Sequence, residues 1–152
     1  KSSITIQNFK ERYEGYAKAL AEAGMTPDPS YTVPLMPTME GAYEDMMKYL
    51  SKKHHLPTAY IADNDIIAFG AIKALKENNI NIPDDVSIIG FDDMPFCTII
   101  EPKLTTIKVD KNALGQLAVD NLIHMMERKK KICLKTALGV TLVQRGSVKS
   151  MK

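Results

Sequence analysis

Five short polar side chains stand where two apolar runs of this chain end. They lie in two clusters, after residues 62 and 91: Asp63, Asn64, Asp65, Asp92 and Asp93. Carboxylate and amide oxygens accept hydrogen bonds from hydroxyl groups, and an Asn amide also donates them. Asp65 is placed to cap the helix that follows, and Asp93 to cap or brace its loop. We therefore expect Asp63, Asn64 and Asp92 to contact a sugar or another polar small molecule.

Residue types typical of catalysis or metal binding do not form a recognisable set. Serines are few and none lies in a strained strand-to-helix turn, and the eight glycines are scattered rather than gathered in a phosphate loop. His54 and His55 are adjacent and lack an evident third ligand, and Cys97 and Cys133 are far apart. We expect no catalytic residues, no metal and no cofactor, with buried or idle thiols in a reducing compartment. A small enzyme remains the competing class.

The elements that must position these side chains form a strand–helix–strand unit. The runs 59–62 and 86–91 are short and continuously apolar, and 66–78 between them is apolar at helical spacing. This pattern predicts two parallel strands buried on both faces, joined by a helix. Ligands of such sheets bind beyond the carboxyl ends of the strands, where both polar clusters lie.

The rest of the chain continues the α/β pattern. Helices are predicted over 8–24, 40–50 and 112–127, and strands over 31–36, 104–109 and 135–144. Asn8 and Glu11 resemble a capping box for the first helix, and Arg12 lies beside its apolar stripe. The tail from Arg145 to Lys152 is polar, and we expect it to fray. The basic run 128–131 is sufficiently explained as a solvated turn at a helix end.

Two segments carry more apolar surface than a monomer needs. The helix 66–78 is apolar on more than one side, so it is either buried between layers or covers a partner. The loop 94–100, MPFCTII, is unusually apolar for a connection. We expect this loop to be a subunit contact.

Composition excludes several classes of protein. The 152 residues are 45% hydrophobic and 25% charged, as in one globular domain. A net charge of +2 is too balanced to indicate nucleic-acid or membrane affinity, and no run approaches a membrane span. The first residues do not resemble a signal peptide. Because the chain does not begin with Met, we expect a leader or an upstream domain to precede it.

Several motifs together resemble the LacI/GalR family of bacterial transcription regulators. They are PTAYIADNDIIAFGAIKAL, IPDDVSIIGFDDMPF and PKLTTIKVD, with FKERYEGYAKALAEAGM before them and VQRGSV after them. The resemblance runs from about Phe9 to Val148, with the motifs in order. It implies a periplasmic-binding-protein-like type I fold, with two subdomains around a small effector, preceded by a DNA-binding helix-turn-helix and a hinge helix.

The resemblance also implies how this chain is organised. The chain would begin inside the second subdomain, which comprises 1–107 and about 135–148. The segment from about 108 to 134 would pack on the first subdomain, so the helix 112–127 would lack its usual cover. We expect this helix to dock on a neighbouring copy or to take a position not seen in the family. Operator DNA would be bound only through the missing N-terminal domain.

Site residues are carried over from the family's motifs. Arg12 matches an arginine that contacts effector in many members, Asn64 the polar residue after the strand, and Asp92 the aspartate of the G-[FY]-D motif. Met36 lies where many members place an aromatic that stacks on the effector. The family's dimer face falls on a further set: Phe69, Lys73, Phe96, Ile99 and Ile100.

The resulting expectation is a cytoplasmic, non-enzymatic sensor. It would bind a sugar or similar metabolite, form a homodimer and have no membrane partner. The alternative is a sugar-binding protein of a transport system, which shares the fold.

Overall fold

The computed structural model describes residues 7–127 and 134–150, which form a four-stranded sheet flanked by helices. The strands are β1 (Ala59–Ile61), β2 (Ser87–Phe91), β3 (Thr105–Lys108) and β4 (Thr141–Val143), and they lie side by side in that order. The first three are parallel, whereas β4 runs antiparallel to β3. The predicted α/β class with a parallel sheet is confirmed.

In the part of the chain that the structure describes, four α-helices accompany the sheet. They are α1 (Gln7–Glu22), α2 (Met39–Ser51), α3 (Asp65–Glu77) and α4 (Lys111–Glu127), each within a few residues of its predicted range. Short 3₁₀ turns occupy Pro29–Tyr31 and Pro95–Thr98. The predicted capping box at Asn8 is wrong, because the helix already includes Gln7 and the Asn8 carboxamide oxygen accepts from Phe9 N at 3.0 Å.

The core lies around α3, which packs between α2 and the sheet. Nine of its residues are buried, and Ala74 and Leu75 have no exposed surface. Gly70 lets α2 approach closely, since a Cβ there would lie 2.3 Å from the Met39 carbonyl oxygen and 2.8 Å from the Ala42 Cβ. Burial between two layers explains why this helix is apolar on more than one side.

Two predicted strands differ from the structure. Residues 31–36 do not form a strand: the 3₁₀ turn ends at Tyr31, and 32–36 pair with no strand among the described residues. Pro34 has no N–H for a ladder, and the Met36 N–H donates instead to the Asp45 carboxylate at 3.2 Å. The predicted strand 135–144 is shortened to Thr141–Val143.

The polar tail is anchored as far as Lys149, which corrects the expectation of fraying. Ser147 has no exposed surface, and its Oγ donates to the Ile88 carbonyl at 2.6 Å and accepts from Thr105 N at 2.8 Å. Ile88 N in turn donates to the Ser147 carbonyl at 2.8 Å. A buried hydroxyl with partners on two strands fixes this segment against the sheet although its composition is polar.

Helix α4 contrasts with α3, because none of its residues is buried. Large apolar side chains remain exposed along it: Leu114, Val119, Leu122, Ile123, Met125 and Met126. The basic run 128–131 and Cys133 lie outside the described residues. No helix in the described ranges is long and apolar enough to cross a membrane.

Candidate functional site

Arg12 reaches from α1 to the ends of β1 and β2. Its guanidinium carbon lies 3.7 Å from the centroid of the Phe91 ring and 5.6 Å from that of Phe9. Its Nη1 donates a hydrogen bond to the main-chain carbonyl of Asp63. The structure thus brings the predicted arginine to the strand ends where the polar clusters lie.

The two predicted carboxylates share the electrostatic environment of Arg12. Burial raises the pKa of Asp63, and the Arg12 charge offsets part of that effect. Burial also raises the pKa of Asp92, and the positive charges of Arg12 and Lys111 offset part of this rise. The backbone of Asp92 has φ +112°, outside the regions that L residues favour, so its side chain projects from a strained turn.

Asn64, not Asp65, caps α3. Its Oδ1 accepts from Ile67 N at 2.9 Å, and its extended backbone is typical of an N-cap. The predicted cap at Asp65 is therefore wrong. The Asn64 Nδ2 has no hydrogen bond within the described ranges, so the carboxamide can donate to a ligand while its oxygen holds the helix.

Asp65 instead forms a buried brace behind the site. It has no exposed surface, and its carboxylate accepts from Met94 N at 2.8 Å, Cys97 Sγ at 3.1 Å and Thr106 Oγ1 at 2.6 Å. Burial, followed by the hydrogen bond to Asp65, raises the pKa of the Cys97 thiol to about 12, so this thiol stays protonated and donates. A Cβ on Gly90 would lie 2.2 Å from Asp65 Oδ1, which explains glycine there.

Asp93 braces the loop, as expected, through a partner that sequence reasoning missed. Its Oδ1 lies 2.6 Å from Arg145 Nη2, and both side chains are mostly buried. Arg145 Nη1 also donates to the Leu104 carbonyl at 2.7 Å. Arg145 lies in a polar segment 52 residues from Asp93, so the sequence does not reveal the pair. The two residues meet only because β4 runs antiparallel to β3 and brings Arg145 back to the sheet.

Met36 is not brought into this cluster. It is 56% exposed and precedes α2, where its side chain lies beside Gly41 and its N–H donates to Asp45. Met36 therefore stays a prediction that rests on the resemblance.

The residues predicted for a dimer face divide into two groups. Phe96 and Ile99 are 58% and 72% exposed, whereas Phe69 is buried and lies 6.2 Å from the Phe96 ring. Lys73 Nζ lies 4.3 Å above the Tyr43 ring, and Ile100 packs partly against the core. The exposed apolar surface of this region thus belongs to the 3₁₀ turn and the residue that caps it, Ile99, rather than to α3.

Arg12, Asp63, Asn64 and Asp92 are all half-buried. Two grooves of about 540 and 470 Å³ lie elsewhere, at the C-terminal end of α3 and along α4. Of the residues beside the cluster, Lys111 lines the second groove. The described residues contain no group of three His, Cys, Asp or Glu side chains that could hold a metal ion.

Comparisons with known proteins give one consistent result. Residues 5–148 match the periplasmic binding protein-like domain family. The chain is 38% identical over 147 residues to the HTH-type transcriptional repressor PurR of Pasteurella multocida, covering 97% of this chain and 44% of that protein. It is 39% identical over 145 residues to the repressor of the same name from Haemophilus influenzae strain PittEE, covering 93% and 43%.

A solved structure agrees with these sequence matches. The LacI family transcriptional regulator of Enterococcus faecium, crystallised with bound ribose, superposes with a TM-score of 0.80 at 31% identity, covering 96% of this chain and 53% of that one. The chain spans about half the length of the relatives it matches.

Proposed function

The chain belongs to the periplasmic binding protein-like domain family, within the LacI/GalR group of transcription regulators, and we propose that it senses a small effector for such a regulator in the cytoplasm. The relatives are regulators and not enzymes, which favours a non-catalytic role. In this proposal, operator DNA would be bound through an N-terminal DNA-binding domain, as the resemblance to the LacI/GalR family implies.

The observation that carries this proposal is the meeting of Arg12 with Asp63 and Asp92 at the carboxyl ends of β1 and β2. A guanidinium and two carboxylates there offer donors and acceptors on side chains held by strands and a helix. The Asn64 Nδ2 adds a donor at the same edge. The arrangement can bind a polar molecule, and its described side chains include no nucleophile beside a base.

The charges of the site favour a neutral ligand with several hydroxyl groups. Two carboxylates face one guanidinium, and burial already disfavours the ionised form of both acids. An anionic ligand would add repulsion, whereas hydroxyl groups can donate to the carboxylates and accept from Arg12. A sugar fits this chemistry, in line with the ribose bound to the Enterococcus faecium regulator.

We propose a homodimer that uses the surface around Phe96 and Ile99, with Phe69, Lys73 and Ile100 beneath or beside it. Exposed apolar residues on and just after a 3₁₀ turn that is itself braced by Asp65 suit a preformed contact. The segment from about 108 to 134 would pack on the first subdomain, which supplies the second wall of the effector site. An effector that binds the closed arrangement better than the open one would then shift operator affinity.

The test is effector binding by the natural full-length protein. Isothermal titration with pentoses, hexoses and nucleobases identifies the ligand class, and mobility shift with operator DNA measures the response. We expect a sugar to bind, and Arg12→Ala and Asp92→Ala to abolish the response while the fold survives. Asp84→Ala, which alters an exposed carboxylate on another surface, is the control.

Other outcomes would replace this proposal. Binding of nucleobases without sugars would correct the ligand class. Sugar binding with no effect on DNA would favour a transport-system binding protein, and turnover of the ligand in NMR spectra would favour an enzyme. An unchanged response in both the Arg12 and Asp92 variants would refute the site.

A further inference from the structure

We propose that Phe91 is a positioning residue of the effector site, whose ring holds the Arg12 guanidinium flat so that Asp63 and Asp92 remain free for the ligand. This inference rests on the proposed function and adds a role for a residue that makes no polar contact itself.

The geometry shows what holds Arg12. The Arg12 guanidinium carbon lies over the face of the Phe91 ring, 3.7 Å from its centroid, which is a cation–π contact, and Nη1 donates to the Asp63 carbonyl. Within the described ranges Arg12 forms no ion pair within 4.0 Å, although it is close enough to Asp63 and Asp92 to affect the pKa of both. A ring and a carbonyl therefore hold this cation where carboxylates would be its usual partners.

The ring is well anchored for this purpose. Phe91 ends β2, and its backbone pairs with Ile107 of β3. The next residue is Asp92, whose N–H donates to the Ile107 carbonyl at 2.8 Å. The stacking surface and the ligand-facing carboxylate are thus fixed by the same pair of strands.

The consequence follows from the flexibility of arginine. A long side chain without a ring beneath it loses its preferred orientation, and its charge is drawn to the nearest carboxylates. An ion pair of Arg12 with Asp92 would occupy both the donor and the acceptor that a hydroxyl group needs. Loss of the ring should therefore weaken binding even if the fold is intact.

The first measurement is NMR of the arginine side chains in the ligand-free, natural full-length protein. We expect the Arg12 Nε–H resonance, assigned by its loss in Arg12→Lys, to show an upfield ring-current shift that disappears in Phe91→Leu and persists in Phe91→Tyr. Phe9→Leu removes the more distant ring and is the matched control. An unshifted resonance in the wild type, or one unchanged in Phe91→Leu, would overturn the proposal.

The second measurement is the dissociation constant for D-ribose as a probe. We expect Phe91→Leu to weaken binding about tenfold, as loss of a desolvated cation–π contact would, and Phe91→Tyr to restore it. The carboxyl pKa of Asp92 should fall in Phe91→Leu as Arg12 pairs with it. A changed Arg12 resonance with an unchanged ribose affinity would overturn the role in binding.

The two measurements separate this inference from the proposed function. If ribose does not bind the wild type, the ligand class is wrong, and the Arg12 resonance alone decides whether Phe91 positions the arginine. If Phe91→Leu does not fold, the wild-type resonance and the Phe91→Tyr variant decide it.

Discussion

Thr106 Oγ1 donates a 2.6 Å hydrogen bond to the carboxylate of Asp65, and this bond ties β3 to the first residue of α3. Met94 N and Cys97 Sγ donate to the same carboxylate from the loop after β2. One buried carboxyl group thus joins the helix behind the proposed effector site, the strand beside it and the turn that carries Phe96.

Replacement of Asp65 should destabilise the chain strongly. Asp65→Ala leaves three donors without an acceptor, two of them buried, and we expect a loss of about 3 kcal/mol or more in the free energy of unfolding. Asp65→Asn keeps the shape and one acceptor oxygen, so the loss should be smaller. Urea denaturation measures both, with Asp84→Asn as an exposed control that should change stability by less than about 0.5 kcal/mol. An equal effect of Asp65→Ala and Asp84→Asn would contradict the brace.

The close approach of α2 and α3 predicts opposite effects for two glycine substitutions. Gly70→Ala places a Cβ against the backbone of Met39 and Tyr43, and overpacking of this kind costs about 1–3 kcal/mol. Gly115→Ala, in the middle of α4 with nothing within 4 Å, should stabilise by about 0.5–1 kcal/mol through helix propensity. Thermal unfolding of the two variants, side by side, checks the sign of each effect.

The raised pKa of Asp92 predicts how stability depends on pH. Between its ordinary value of 3.8 and the raised value, the folded state binds more protons than the unfolded state, so this residue's contribution falls as pH rises. The free-energy cost of holding ionised Asp92 in the folded state is fully present at neutral pH, and it is absent below pH 3.8, where the carboxyl group is protonated in both states. We therefore expect Asp92→Asn to be more stable than the wild type at pH 7, with the difference vanishing in acid.

Asp28 provides a control, because its pKa is shifted in the direction opposite to that of Asp92. Hydrogen bonds from Ser30 lower its pKa, so its contribution to stability is present at neutral pH and lost as pH falls through the lowered value. Asp28→Asn should accordingly be less stable than the wild type at pH 7. Urea denaturation at several pH values would refute the assignment at Asp92 if both variants responded in the same direction.

Because α4 is exposed, we expect its apolar residues to contribute little to the free energy of unfolding of this chain. Leu122 is 58% exposed and Leu75 has no exposed surface. In the 152-residue chain, Leu122→Ala should change the free energy of unfolding by less than about 0.5 kcal/mol, whereas Leu75→Ala should cost about 2–5 kcal/mol.

The same pair of variants tests whether another subdomain covers α4. In the natural full-length protein the cost of Leu122→Ala should rise to about 2 kcal/mol if the segment from about 108 to 134 packs as proposed. An unchanged small cost there would contradict that packing.

Sequence reasoning found the sheet and the helices because their patterns are local. The runs ending at Asp63 and Asp92 and the helix between them are continuous in the chain, and their apolar periods identify them. The position of Arg12 beside the apolar stripe of its helix carries no sign of a ligand contact, and only the family motif predicts one. The structure brings Arg12 to both strand ends, yet the Phe91 ring beneath it had not been expected.

The predictions that proved wrong concern residues whose partners are distant in the chain. The sequence predicts a cap at Asp65 because a cap is a local role, whereas the donors to its carboxyl group are 29 to 41 residues away. Arg145 and Ser147 were assigned to a fraying tail because they are polar, although Asp93 and Ile88 hold them. Residues 31–36 have the composition of a strand, but a strand also needs a neighbour with which to pair.

The segment between β3 and β4, which contains α4, begins and ends at one residue pair of the sheet, because Lys108 pairs with Thr141. In terms of chain topology it is a single long hairpin connection, and the entropy of closing such a connection grows only with the logarithm of its length. Its length can therefore vary among proteins with the same sheet at little thermodynamic penalty. Replacing residues 109–140 with a tight turn should leave the β3–β4 pairing in register, so this segment is a natural place to graft or delete sequence.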